Sequence, residues 1–350
     1  MNTSTDTPLV SIIILNYNAG QLLFNCVESI LKTSYSNFEI IVVDNNSHDQ
    51  SHTKCKEFFP QIKLIENKKN LGYCEGNNVG IRSATGKFIV ILNPDTIVSQ
   101  NWLDELIFAY NRNGDGLYQP KILSLYEDGI LQSTGNMLHV FGFGFARDKG
   151  NPDDLKYNKV EEIGYASGTC LFTSLDVMKK IGLFDPFLFL YHDDLDLGWR
   201  AFQLNIKSYF VPSTAIYHAE SYSLRWSEKK FFWLERNRRY CMLTHYSKDT
   251  YKKMRFSLIA IELLVWVFYL KKGFVVAKIK AEIEILKNRK HIEEKYLELE
   301  TKKIISDVEM IRRLPDEIFV PKNVSGEYGN RTFNRILSRL SRKIKRDIQS

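Results

Sequence analysis

Short apolar runs that break off in polar residues alternate with amphipathic stretches through the first third of the chain. VSIIILNYN (10–18), FEIIVVDNNS (38–47), IKLIEN (62–67) and KFIVIL (87–92) are continuously apolar rather than alternating, which predicts strands buried on both faces of a parallel sheet. Between them, Leu22, Leu23, Val27, Ile30 and Leu31 share one helical face, HDQSHTKCKEFF suggests a second helix, and WLDELIFAYNRN (102–113) reads as another. NLGYCEGNNVGIRSATG (70–86) reads as a Gly- and Asn-rich loop entering a helix. Strands alternating with helices imply an α/β doubly wound sheet with right-handed crossovers.

Asn16, Asp44 and Asp95 fall at the C-terminal ends of these strands, the edge where open α/β sheets bind ligands. After residue 115 the alternation weakens. LYQPKIL, YASGTCLF and IKSYFVP read as further strands, with one helix around DLGWRAFQLN.

Beyond about residue 250 the pattern changes, and the chain divides into a body (1–250) and a helical, basic extension (251–350). FSLIAIELLVWVFYL (256–270) is almost wholly apolar between clusters of Lys and Arg. It is shorter than the roughly 20 residues a span needs and contains Glu262, so it predicts a helix packed on the body or lying in a membrane interface. RTFNRILSRLSRKIKRDI (331–348) puts Phe333, Ile336, Leu337, Leu340 and Ile344 on one face and basic residues on the rest, the pattern of a helix lying on anionic lipid.

Charge sharpens this division. Residues 251–350 hold 23 Lys and Arg against 13 Asp and Glu, whereas residues 1–250 hold 25 against 28. The net charge of +7 therefore belongs to the extension, and the acidic body offers no surface for nucleic acid. Five scattered cysteines without CxxC spacing fit a reducing compartment. The polar start MNTSTDTPLV has no basic region followed by an apolar one, which predicts a cytoplasmic protein held peripherally at the inner face of the cell membrane.

Four constellations carry candidate chemistry. NYN (16–18) with DNNSHD (44–49) supplies fixed donors and acceptors suited to a base and ribose. NPD (93–95) offers one hard anionic oxygen, enough for Mg²⁺ or Mn²⁺ when phosphate and water complete the shell. GLFDPFLFLYHDDLDLGWR (182–200) crowds Asp193, Asp194 and Asp196 at a helix start. Such acids complement the helix dipole, and their crowding also raises a pKa toward that of a general base. His218 becomes a metal ligand only if the fold brings it to Asp95.

These segments, with ASGTCLF and AIYHAESYS, occur in the order that identifies residues 8–245 as similar to family 2 glycosyltransferases, closest to the rhamnosyltransferase-like branch of surface polysaccharide assembly. The resemblance implies a GT-A fold, a nucleotide-diphosphate sugar donor, a divalent cation (Mg or Mn) and inversion at the anomeric carbon. It implies that Asn16, Tyr17 and Asp44 line the nucleoside, and that Asn70, Gly72, Asn77 and Asn78 shape the ribose and donor-sugar side. It makes Asp95 the metal ligand with His218, Asp194 the general base, and Arg200 a supporting donor-site residue. Asn93 departs from the two-acid pattern of the family, and Asp193 stands where Glu is usual. The QxxRW signature of processive synthases is absent, so transfer of a single sugar to a saccharide or lipid-linked acceptor is expected. A nucleotidyltransferase would want a Gly-rich phosphate loop with a basic residue near the N-terminus, and LNYNAGQ has neither. The remaining alternative is a catalytically silent sugar-nucleotide-binding subunit that keeps the fold.

Overall fold

The computed structural model describes residues 7–154, 156–220, 227–319 and 322–348. The expected alternation forms as β1 (Val10–Asn16), α1 (Gln21–Leu31), β2 (Phe38–Asp44), α2 (Ser51–Phe58), β3 (Lys63–Glu66), α3 (Gly72–Ser83) and β4 (Phe88–Leu92). Then come β5 (Thr96–Val98), α4 (Trp102–Asn113), β6 (Gly116–Ser124), β7 (Leu131–Ser133), β8 (Asn136–Leu138), β9 (Gly144–Ala146) and β10 (Glu161–Ile163). β11 (Cys170–Ser174), α5 (Leu175–Ile181), α6 (Asp193–Gln203) and β12 (Lys207–His218) complete the body. The main sheet runs β10-β12-β6-β11-β4-β1-β2-β3, with β5 on β12 and β7 on β6.

β4, β1, β2 and β3 pair in parallel, and β12 pairs parallel to β6, while β11 enters antiparallel between β4 and β6. Strands buried on both faces need helices on both sides, and two apolar clusters flank the sheet accordingly. The short strands β7 to β10 had no clear signal in the sequence. YASGTCLF forms a strand only from Cys170, because the preceding residues make a turn.

In the stretch expected as a loop entering a helix at 70–86, the helix α3 already begins at Gly72. Its glycines allow it to lie directly on the sheet: a Cβ at Gly76 would come within 2.5 Å of Leu15, and one at Gly80 within 2.4 Å of Ile13.

The C-terminal part is helical: α7 (Glu228–His245), α8 (Lys248–Lys272), α9 (Val275–Lys287), α10 (Arg289–Lys302), α11 (Asp307–Arg313) and α12 (Lys322–Asp347). These helices do not hang off the body. Met254, Leu258, Ile261, Ile285, Met310, Ile311, Leu337 and Ile344 join the same core as Trp199 and Tyr240. The apolar face of 331–348 is therefore not free to lie on lipid, as the sequence suggested: Leu337 and Ile344 are fully buried, and Phe333 and Leu340 pack beside them. Among the described residues no helix is long and apolar enough to cross a membrane.

Candidate active site

Strand register assembles the first corner. Asn16 and Asp44 are direct partners across β1 and β2, and the Asn16 amide donates to Asp44 Oδ1 at 2.7 Å. The same amide nitrogen lies 2.9 Å from Ser51 Oγ and 3.1 Å from Ser47 Oγ, and the Ser47 N–H donates to Asp44 Oδ2 at 2.9 Å. Asn16 and Asp44 are buried, while Tyr17 next to them is 46% exposed. The corner is thus a fixed polar floor with one open aromatic wall.

Asn45, within the DNNSHD stretch, ties this corner to the next. It donates to Gly72 O at 2.9 Å and accepts from the Asn67 amide at 3.0 Å. Asn70 Oδ1 accepts from Gly72 N–H at 2.8 Å. Gly72 has φ +76°, and a Cβ there would meet Phe189 at 2.5 Å, so glycine is required where the two loops touch.

β5 and β12 build the second corner. Thr96 pairs with His218, and Ala219 N–H donates to Asp95 O at 3.0 Å, so His218 Nε2 lies 3.3 Å from Asp95 Oδ1. Gln132 fixes the imidazole. Its Nε2 donates to His218 O at 2.8 Å, leaving Oε1 to accept from His218 Nδ1 at 2.7 Å. With its proton held on Nδ1, a neutral imidazole turns its Nε2 lone pair toward Asp95, the tautomer a metal ligand needs. One carboxylate and one oriented imidazole suit a divalent cation whose other ligands come from phosphate and water. Two denser groups among the described residues hold cations of the protein itself. Asp196–Cys241–His245 contains the Arg200 ion pair, and Glu235–Glu262–Glu282 surrounds Lys278.

The third corner is the start of α6. Gly168 N–H donates to Asp194 Oδ2 at 3.1 Å, and Tyr73 Oη donates to Gly168 O at 2.6 Å. Next to that turn, Thr169 O accepts from Asn93 N–H at 3.0 Å, joining it to the end of β4 two residues before Asp95. Burial pushes the Asp194 carboxyl up to about 6 against its N–H donors. Asp193 is raised in the same direction, by burial first and then by the Asp194 charge.

Phe189, Tyr191 and His192, just before these acids, all have positive φ, between 61° and 67°. Three left-handed non-glycine residues in four positions are costly and persist only under outside constraint. Asn237 on α7 supplies it, donating to the carbonyls of Leu188, Leu190 and Tyr191 at 2.9, 2.8 and 2.7 Å. Arg236 donates to Phe187 O and Leu188 O at 2.6 and 2.8 Å. An asparagine inside a helix was the one available sequence signal for this clamp. Gln132 had none.

Three expected donor residues lie elsewhere. Arg200 is buried against Asp196 at 2.8 Å and donates to Ile181 O and Gly182 O at 3.0 Å, so its guanidinium is engaged in the interior. Asn78 is locked to the Phe184 backbone in both directions, at 2.8 and 3.0 Å. Asn77 is wholly buried and donates to Tyr73 O at 2.9 Å. Both asparagines seat α3 rather than facing the cleft.

A mostly parallel mixed sheet whose edge carries the Asn16–Asp44 corner, an Asp95–His218 pair and a buried Asp194 carboxylate has a GT-A type fold. Residues 11–182 match the model of glycosyl transferase family 2, and this part of the chain is a domain of that family. A glycosyltransferase of Streptococcus pneumoniae, GlyG, is 38% identical over 101 residues, which are 28% of this chain and 34% of that protein. The N-acetylglucosaminyl-diphospho-decaprenol L-rhamnosyltransferase of Mycobacterium tuberculosis is 24% identical over 242 residues, covering 62% of this chain and 78% of that protein. The mannosyltransferase PcManGT of Pyrobaculum calidifontis, solved with GDP-Man and Mn²⁺, superposes with a TM-score of 0.52 at 13% identity, covering 98% of this chain and 88% of its own. The chain spans only a quarter to a third of the first curated relatives it matches, 34% and 25% of their lengths.

Proposed function

We propose that the protein is an inverting glycosyltransferase that moves one sugar, a hexose or deoxyhexose, from a nucleotide-diphosphate donor to a saccharide or lipid-linked acceptor in surface glycan assembly. The observation that carries this reading is the 167–169 turn. It is bonded to Asp194 on one side and to the end of β4 on the other, next to the Asp95–His218 pair.

In this reading Asp194 is the general base. It takes the acceptor hydroxyl proton as that oxygen bonds to the anomeric carbon, and the bond from that carbon to the diphosphate oxygen breaks on the opposite face. Inversion follows from this in-line displacement. Asp95 and His218 would hold a divalent cation, Mg²⁺ or Mn²⁺, which neutralises charge on the leaving diphosphate. Asn16, Asp44 and Tyr17 would receive the nucleoside, with Asn70 and Gly72 closing the sugar side. Residues 1–250 would form the catalytic unit and 251–350 a helical extension at the cytoplasmic membrane surface. The diphospho-decaprenol in the mycobacterial relative's name supports a lipid-linked acceptor.

The test is released nucleoside diphosphate from a panel of nucleotide sugars with Mg²⁺, Mn²⁺ or EDTA, for wild type and Asp95→Ala. The expected result is cation-dependent release from one donor, lost in the variant. Thermal shifts by a donor with no release, even with acceptor extracts added, would point to a silent binding subunit instead.

A further inference from the structure

The helix pair α8 and α9 leaves a large apolar face uncovered. Every exposed position from 256 to 270 is a large apolar residue: Phe256, Ile259, Leu263, Trp266, Val267 and Leu270. They recur at three- and four-residue spacing, so they form one stripe along α8, opposite the buried Met254, Leu258, Ile261 and Val265. On α9, Val276, Ile279, Ile283 and Leu286 repeat the pattern. The two stripes flank one seam. Gly273, with φ +76°, turns the chain back between the helices, and Lys278 Nζ lies 5.5 Å from the Trp266 ring centroid. Two exposed apolar stripes on consecutive helices mark an interaction site.

Charge decides the partner. From residue 252 to 290 every exposed charged side chain is a cation: Lys252, Lys253, Arg255, Lys271, Lys272, Lys280, Lys287, Arg289 and Lys290. The three acids of this span, Glu262, Glu282 and Glu284, are all partly buried. Two of them, with Glu235, enclose Lys278, which lies 2.9 Å from Glu262 and 2.7 Å from Glu282. Lys253, Lys280 and Lys290 have acidic neighbours outside this span, Asp249, Glu228 and Glu294, yet cations prevail along it. A second copy of this chain would bring them against themselves at the rim. A bilayer with anionic headgroups matches both the apolar stripes and the basic rim.

We infer that the α8–α9 face is a monotopic docking surface for an anionic lipid bilayer, into which the two stripes insert while the basic rim contacts headgroups. It replaces α12 as the membrane element and deepens the proposed action on a lipid-linked acceptor, on which the benefit of docking rests. The surface is joined through α7 to the loop before Asp194. α7 binds α8 and α9 through Glu235 and Arg238, and its Arg236 and Asn237 hold the 187–192 loop.

The test is flotation of the full chain with vesicles of phosphatidylcholine alone, or of equal parts phosphatidylcholine and phosphatidylglycerol. Wild type is expected to float with the anionic vesicles. Leu263→Asp with Val267→Asp should reduce the bound fraction at least about tenfold, with an unchanged thermal melt and unchanged donor hydrolysis. Lys252→Glu with Lys271→Glu should abolish the preference for anionic vesicles. Wild type that floats with neither vesicle, or an Asp variant that floats as well as wild type, would overturn the inference. So would wild type that scatters light as a dimer and becomes monomeric in the Asp variant. Flotation does not depend on turnover: wild type that floats but hydrolyses no donor would count against the catalytic reading alone.

Discussion

Gly168 holds Asp194: its backbone N–H donates 3.1 Å to Asp194 Oδ2, while its carbonyl accepts from Tyr73 Oη at 2.6 Å. The residue that aims the carboxylate is thus itself fixed from α3. A Cβ at this glycine would lie 2.7 Å from Tyr73 Oη and 3.3 Å from Asp193 Oδ2. Gly168→Ala should therefore lower kcat about tenfold or more, since misplacement by an ångström is costly. Its melting temperature should change little, because the clash is with a side-chain tip. Steady-state kinetics beside a thermal melt checks both halves.

Asp194→Asn keeps the size of the side chain and removes the base. General-base loss typically costs about 10²–10⁴-fold in turnover, and donor affinity should stay within about twofold. Single-turnover rates and donor titration separate the two. Near-normal turnover would rule out the assigned role.

The pH profile has a defined sign. A base acts only when ionised, and burial raises the Asp194 pKa to about 6. The kcat/KM of wild type should therefore fall as pH drops through about 6, well above the range of an ordinary exposed carboxylate. An acid limb at or below about 4 would contradict the buried environment.

Gln132 sets the imidazole tautomer through its 2.7 Å contact with His218 Nδ1. Gln132→Leu should raise the Mn²⁺ concentration for half-maximal turnover by about 10–100-fold, with kcat largely restored at saturating metal. A Mn²⁺ titration of both proteins reads this directly.

Asn237→Ala would leave the carbonyls of Leu188, Leu190 and Tyr191 without the amide that serves all three. A buried unsatisfied polar group costs about 1–3 kcal/mol, so a lower urea midpoint is expected together with reduced kcat. Loss of stability without loss of turnover would mean that the left-handed loop is not needed for catalysis.

The sequence by itself determined the parallel strands, the polar residues at their ends and the crowding of acids at 193–196. These depend on local pattern: uninterrupted apolar runs must be buried on both faces, and a strand that ends in Asn or Asp presents it at the sheet edge. Pairing was invisible, because it is set by chain segments far apart. Only the tertiary structure could bring His218 beside Asp95, through the β5–β12 ladder, or choose Gln132 from a loop without pattern to orient it. It also sorted look-alikes. Arg200, Asn77 and Asn78 were read as donor-site residues, yet each serves the interior, since polarity in a sequence does not reveal whether a side chain's partner is a ligand or the protein's own backbone. The two apolar segments of the extension were sorted for the same reason. Periodicity marks an apolar face, and only packing decides whether that face meets the core, as in α12, or remains uncovered, as in α8 and α9.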